Sequence, residues 1–185
     1  MNWNNITIGQ YQKIVERKAK GLELLSIATD LTVKELENLP LSKLTKLTED
    51  YLFLNDEPPA ENIKTWGDFK ILDFNKKGGA SQIIDFLALL DDNNYIGNLH
   101  LIMATLCNDG KEYNFQDKAN MFRDEMPITI AFGVAGFFLQ NFSLSEKNIH
   151  FYLKQARMGK LNIQNLIQRL EDLKLNINGT SGLID

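Results

Sequence analysis

The chain has 185 residues, 44% of them hydrophobic and 24% charged, which suits one domain or two small ones with a packed core. A net charge of −4 argues against nucleic acid as the main partner, and a single cysteine rules out an intramolecular disulfide. The opening Met1-Asn2-Trp3-Asn4-Asn5 lacks the basic start and apolar stretch of an export signal, and the most apolar run, 126–141, is shorter than the roughly 20 residues of a bilayer span, so no membrane partner is expected.

The first element opens at Ile6-Thr7-Ile8-Gly9, with Thr7 as N-cap and Tyr11, Ile14 and Val15 at helical spacing. Gly21 interrupts it, and a second helix runs over about 22–30. Thr32-Val33-Lys34-Glu35 is a capping-box pattern that starts a short helix ending before Pro40. Leu41, Leu44, Leu47, Tyr51 and Leu54 then recur every three or four residues, the stripe of an amphipathic helix ending near Asn55.

Asp56-Glu57-Pro58-Pro59 stops that helix. Two short extended runs, 63–66 and 69–72, flank Gly67-Asp68 and predict a small β-hairpin. Lys76-Lys77-Gly78-Gly79 follows as a connection. Helices resume over 82–90, capped by Ser81, and over 95–107; Asn108-Asp109-Gly110-Lys111 is a turn, and 115–125 is helical. Pro127 sits at a favoured first-turn position of a helix over 127–142, so apolar that it should be the most buried. Ser143 or Ser145 caps another helix through Met158, and Leu161, Leu166, Ile167, Leu170 and Leu173 mark a last amphipathic one.

Stretches near the start recur near the middle in the same order. Thr7-Ile8-Gly9-Gln10-Tyr11 resembles Gly79-Ala80-Ser81-Gln82-Ile83, and Leu25-Ser26-Ile27-Ala28-Thr29 resembles Leu101-Ile102-Met103-Ala104-Thr105. The segment 33–39 with Pro40 and the ending Leu52-Phe53-Leu54 match 115–126 with Pro127 and Phe137-Phe138-Leu139. The expected fold is mainly α: a helical bundle of two pseudo-repeated units with a small β-hairpin insertion between them. The divisions are 1–56 for the first unit, 57–77 for the hairpin and linker, 78–142 for the second unit, and 143–185 for C-terminal helices and tail.

No catalytic, cofactor or metal constellation emerges. His100 and His150 stand alone, outside any zinc-binding spacing, and one cysteine cannot supply a thiolate cluster. A His100–Cys107 pair would sit two helical turns apart, roughly 10 Å, too far for direct activation. Gly133-Val134-Ala135-Gly136 lies inside a helix pattern, where it serves close helix packing and cannot cradle phosphate. The notable remainder is aromatic. Phe132, Phe137, Phe138 and Phe142 cluster on one helix, Phe151 and Tyr152 follow, and Trp66 marks the hairpin; these seven are the candidate protein interface. Residues 145–185 carry a local charge of +2, so the C-terminal helix could touch an acidic neighbour or, weakly, a phosphate backbone.

Taken in order, Trp3-Asn4-Asn5-Ile6-Thr7-Ile8-Gly9-Gln10-Tyr11, the leucine stripe 39–54 with Pro58, the extended pair, Gln82, Asp109-Gly110-Lys111-Glu112-Tyr113-Asn114 and Gly136-Phe137-Phe138-Leu139 resemble a group of small proteins from tailed bacteriophages, including crAss-like phages. The resemblance spans roughly 2–142, and the chain departs from the group in lacking a longer glycine-rich hairpin turn. It implies a non-enzymatic virion structural or assembly role near the portal and tail, packaged cargo, or a tail-assembly chaperone. The implied partners are other phage proteins, or further copies of the chain in a ring, in the virion or in the host cytoplasm during assembly. A host-directed binding protein is the remaining alternative.

Overall fold

The computed structural model describes residues 1–61, 63, 65–71, 89 and 94–141, with side chains to 136 in the last helix. Among these, seven α-helices and a three-stranded antiparallel sheet make the fold mainly helical. The helices expected over 82–90 and beyond 142 lie outside the described residues.

The first helices start where their caps are. Thr7 precedes α1 (Ile8–Arg17): its Oγ1 accepts the Gln10 N–H at 3.2 Å, while Gln10 Oε1 accepts the Thr7 N–H at 3.0 Å. Two orphan donors of a helix end are thus satisfied reciprocally. Lys18, at φ 51°, ends α1 in the left-handed region, three residues before Gly21, which instead opens α2 (Gly21–Thr29). Thr32 and Glu35 form the expected capping box of α3 (Val33–Glu37), with the Thr32 N–H held at 2.7 Å by the Glu35 carboxylate.

The leucine stripe divides. α4 (Leu41–Asp50) stops at Tyr51, and Leu52–Asn55 continues as a tighter 3-10 turn. No residue of α4 is buried: Leu44 and Leu47 only lean on the core, and Leu41 is 79% exposed.

The hairpin forms as read. β1 (Thr65–Trp66) pairs with β2 (Phe69–Ile71), Trp66 opposite Phe69, around Gly67 at φ 56°. A left-handed first central residue is what a type II′ turn requires, and glycine adopts it without strain. The third strand was not expected. The helix anticipated over 95–107 runs only as α5 (Leu99–Leu106), and β3 (Cys107–Asn108) leaves its end extended, with Cys107 opposite Ile71.

Two further helices complete the described body. α6 (Phe115–Glu125) is capped by Asn114, whose Oδ1 accepts the Gln116 and Asp117 N–H groups. α7 (Ile128–Asn141) starts directly after Pro127. From 128 to 136 no side chain of α7 is exposed, as its composition predicts. α5 is buried to a similar degree, with Leu99, Ile102, Met103 and Leu106 nearly or fully inaccessible.

The starts of α1 and α7 are joined directly. The Ile8 N–H donates to the Met126 carbonyl at 3.0 Å, and the Ile128 N–H to the Ile6 carbonyl at 2.9 Å. These bonds bracket the bridge pair Thr7 and Pro127, so the missing proline donor leaves nothing unmade. Ile6, Ile8, Met126 and Ile128 are fully buried around them.

Gly133 departs from its expected role. Close approach occurs there, but to a segment outside any helix: a Cβ at Gly133 would run into the backbone carbonyl of Glu61, whose N–H donates to the Thr129 carbonyl at 3.0 Å. Backbone cannot yield as a flexible side chain does. Gly133→Ala is therefore expected to destabilise the protein by about 3 kcal/mol or more. Urea denaturation checks this; an unchanged midpoint would remove the close approach.

Candidate functional site

Of the candidate interface residues, Trp66 and Phe132 have described side chains, and these two lie apart. Trp66 is half-buried: it stacks on Phe69 with centroids 6.0 Å apart and leans on Phe122 at 5.5 Å. Phe122 is fully buried, so this hairpin aromatic is tied to the core. Phe132, also half-buried, meets Tyr11 of α1 edge-on at 5.7 Å and 86°, and Tyr11 in turn meets Trp3 at 5.9 Å. Phe137 and Phe138 fall on the α7 backbone, and Phe142, Phe151 and Tyr152 lie outside the described residues. Trp66 and Phe132 thus belong to separate aromatic clusters.

Other large apolar groups are better exposed than these. Tyr113 is 39% and Phe115 50% exposed on either side of the Asn114 cap, and Tyr113 contacts Phe69 of the hairpin at 6.0 Å. Leu52, just after α4, is 56% exposed, and Leu41, at its start, 79%. Aromatics flanking a cap residue are a signal legible in sequence, because a cap lies at the surface and its neighbours have only one helix face to hide in. The exposure of Leu41 had no such signal, since a leucine stripe normally reads as a buried face.

Polar groups gather at the other end of α1. A cleft of about 530 Å³ is lined by Gln10, Lys13 and Glu16 of α1, Asp30 after α2, and Arg123 and Asp124 of α6. Two of its charges pair with each other and a third meets a neutral amide. Arg123 grips Asp124 with two bonds of 2.8 and 3.1 Å, and the Gln10 amide donates to Asp30 at 3.2 Å. The lining holds no thiol or imidazole, and its one hydroxyl, on Thr7, already serves as the helix cap.

His100 and Cys107, the pair weighed for chemistry, are drawn to different partners. His100 Nδ1 lies 3.0 Å from the Gln12 carboxamide nitrogen. Burial, seconded by the Arg123 guanidinium, pushes the His100 pKa below its ordinary value. Cys107 sits in the sheet and is 3% exposed; burial raises its thiol pKa to about 12, and the Lys118 ammonium opposes this only in part. Lys118 itself caps α5, donating from Nζ to the carbonyls of Ala104, at 2.9 Å, and Cys107. Such a cation at a helix C-terminus satisfies orphan carbonyls.

Among the described residues no group of three His, Cys, Asp or Glu side chains could hold a metal, and no helix is long and apolar enough to cross a membrane. The arrangement defines a mainly helical protein whose conspicuous exposed features are apolar side chains. No protein-family model, curated protein or solved structure matches this chain.

Two outcomes follow. In the native protein Cys107 is expected to resist iodoacetamide near pH 8 and to react only after unfolding, as read by mass spectrometry, because the thiolate is the reactive form. Phe132→Ala is expected to cost about 2–4 kcal/mol in stability, with a Tyr11 coupling of about 0.5–1.5 kcal/mol in a double-mutant cycle; no coupling would return Phe132 to the list of free anchors.

Proposed function

We propose that this chain is a non-enzymatic bacteriophage virion structural or assembly protein, a component of the portal–tail region or packaged cargo, acting through protein contacts. The observation that carries the contact-based reading is the exposure of large apolar side chains: Tyr113 and Phe115 on either side of the Asn114 cap and, separately, Leu41 at the start of α4 and Leu52 after its end. The phage assignment rests on the ordered resemblance over 2–142. A working ring would need interfaces of roughly 800 Å² or more per partner, to which such side chains contribute most per residue.

The two-unit organisation belongs to the same reading, with 1–56 and 78–142 as related units. Details that similarity of sequence alone does not require support it. Thr29 Oγ1 donates to the Leu25 carbonyl at 2.7 Å, and Thr105 Oγ1, at the matched position, to the Leu101 carbonyl at 3.0 Å. In each unit a side-chain-capped helix is followed by a proline that immediately precedes the next helix: α3, Pro40 and α4; then α6, Pro127 and α7. In this pairing α4 is the counterpart of buried α7, yet it stays largely open. An amphipathic helix that leaves Leu41 exposed also suits the second reading, a tail-assembly chaperone that seats a helical client and is not retained in the particle.

Mass spectrometry of purified particles tests the proposal. The virion reading expects the protein there in multiple copies, with light scattering showing a defined oligomer. Its absence from particles, together with a stable complex with another phage protein, would instead establish the chaperone. Capture of a host enzyme alone would point to a host-directed role.

A further inference from the structure

Gln12 of α1 reaches across to the turn before α5 and makes three contacts with one nitrogen. Its Nε2 lies 2.8 Å from the Ile96 carbonyl, 2.8 Å from the Gly97 carbonyl and 3.0 Å from His100 Nδ1. The two carbonyls settle which way the carboxamide faces. Turned over, it would set its own oxygen against two other acceptors. The amide therefore presents its two N–H groups to three acceptors, and a neutral His100 that offers its Nδ1 lone pair shares one of them with a carbonyl. In the neutral ring the proton then belongs on Nε2.

We infer that Gln12 and His100 form an acid-released clasp between α1 and α5, closed while His100 is neutral and opened when Nδ1 takes a proton. An imidazolium has N–H on both nitrogens, so Nδ1 would confront the Gln12 donor. The Gly97 carbonyl lies within reach of the same ring and favours its protonated form. Protonation thus transfers that carbonyl from Gln12 of α1 to His100 of α5 itself, and leaves α1 the Ile96 carbonyl alone as its polar hold on the turn.

Among the described residues, the charged groups around the ring come from α6 and α1. From α6, Arg123 disfavours the proton and Asp124 favours it, and the two are bonded to each other. From α1, Lys13 lines the cleft beside them and acts on Asp124. The neutral ring is the folded form, and burial holds its pKa below the ordinary value. Clasp stability is therefore complete above the ordinary histidine pKa and is lost as pH falls from there through the folded value.

The test uses the whole chain and its 2 histidines, assigned with a His150→Gln variant. Long-range proton–nitrogen correlation near neutral pH is expected to show His100 with a bare Nδ1 and a protonated Nε2. On acidification to about pH 5, both nitrogens should become imidazolium-like, and amide exchange in 8–17 and 95–98 should rise about tenfold beyond the intrinsic pH effect. Gln12→Leu, at a half-buried position, should remove the pH dependence of that exchange and leave His150 unchanged. A proton on Nδ1 at neutral pH would overturn the inference. So would full protonation of His100 without a change in exchange, or an unaltered pH dependence in the leucine variant.

Discussion

The structure depends on one short antiparallel bridge. Residues 6–8 and 126–128 exchange two backbone hydrogen bonds, and each strand of the bridge runs at once into a helix. Segments about 120 positions apart in sequence are thereby brought to one point, and the orientations of α1 and α7 are set together. The entropy of closing so long a loop must be met by burial, and four fully buried side chains, Ile6, Ile8, Met126 and Ile128, stand at that point. Neighbouring contacts reinforce it. The Thr129 hydroxyl donates to Asn4 at 2.8 Å, and Trp3, Tyr11 and Phe132 continue the same seam in aromatic contacts.

The bridge also explains how residues with conflicting demands coexist. Thr7 is a bridge residue and a helix cap. It can be both because Thr7 and Pro127 are the non-hydrogen-bonded pair of the bridge, which leaves the Thr7 N–H free for Gln10. The following residues of α7 are then fixed tightly enough that Gly133 must accept the Glu61 backbone against it. At the other end of the body, Lys118 ties α6 to the end of α5 and to the sheet through the Cys107 carbonyl. These are polar solutions to helix ends, each placed where a helix stops against another element.

Much of the helical order was legible residue by residue. Thr7, Thr32 and Pro127 mark starts because a cap or a pre-set φ acts within one turn, and the Gly67-Asp68 hairpin is equally local. The third strand was not legible: Cys107 follows an apolar helical run and becomes extended only because β2 offers it a ladder. For the candidate interface, only Trp66 and Phe132 have described side chains, and both contact other aromatics. An aromatic on an apolar helix looks the same in sequence whether it faces Tyr11, as Phe132 does, or solvent. Tyr113 and Phe115, flanking a cap, are more exposed than half-buried Phe132.

The sequence by itself determined where helices begin, where the chain turns and that one thiol and two isolated histidines supply no recognised catalytic or metal motif, since these follow from neighbours a few residues apart. The tertiary structure decided which faces are covered. It left α4 open while burying α7, turned Phe132 and Trp66 inward, set the Glu61 backbone on Gly133 and placed Gln12 against His100. Each of those outcomes is a meeting of segments distant in sequence. Periodicity reports that a face is apolar, and only the packed chain determines what, if anything, lies against it.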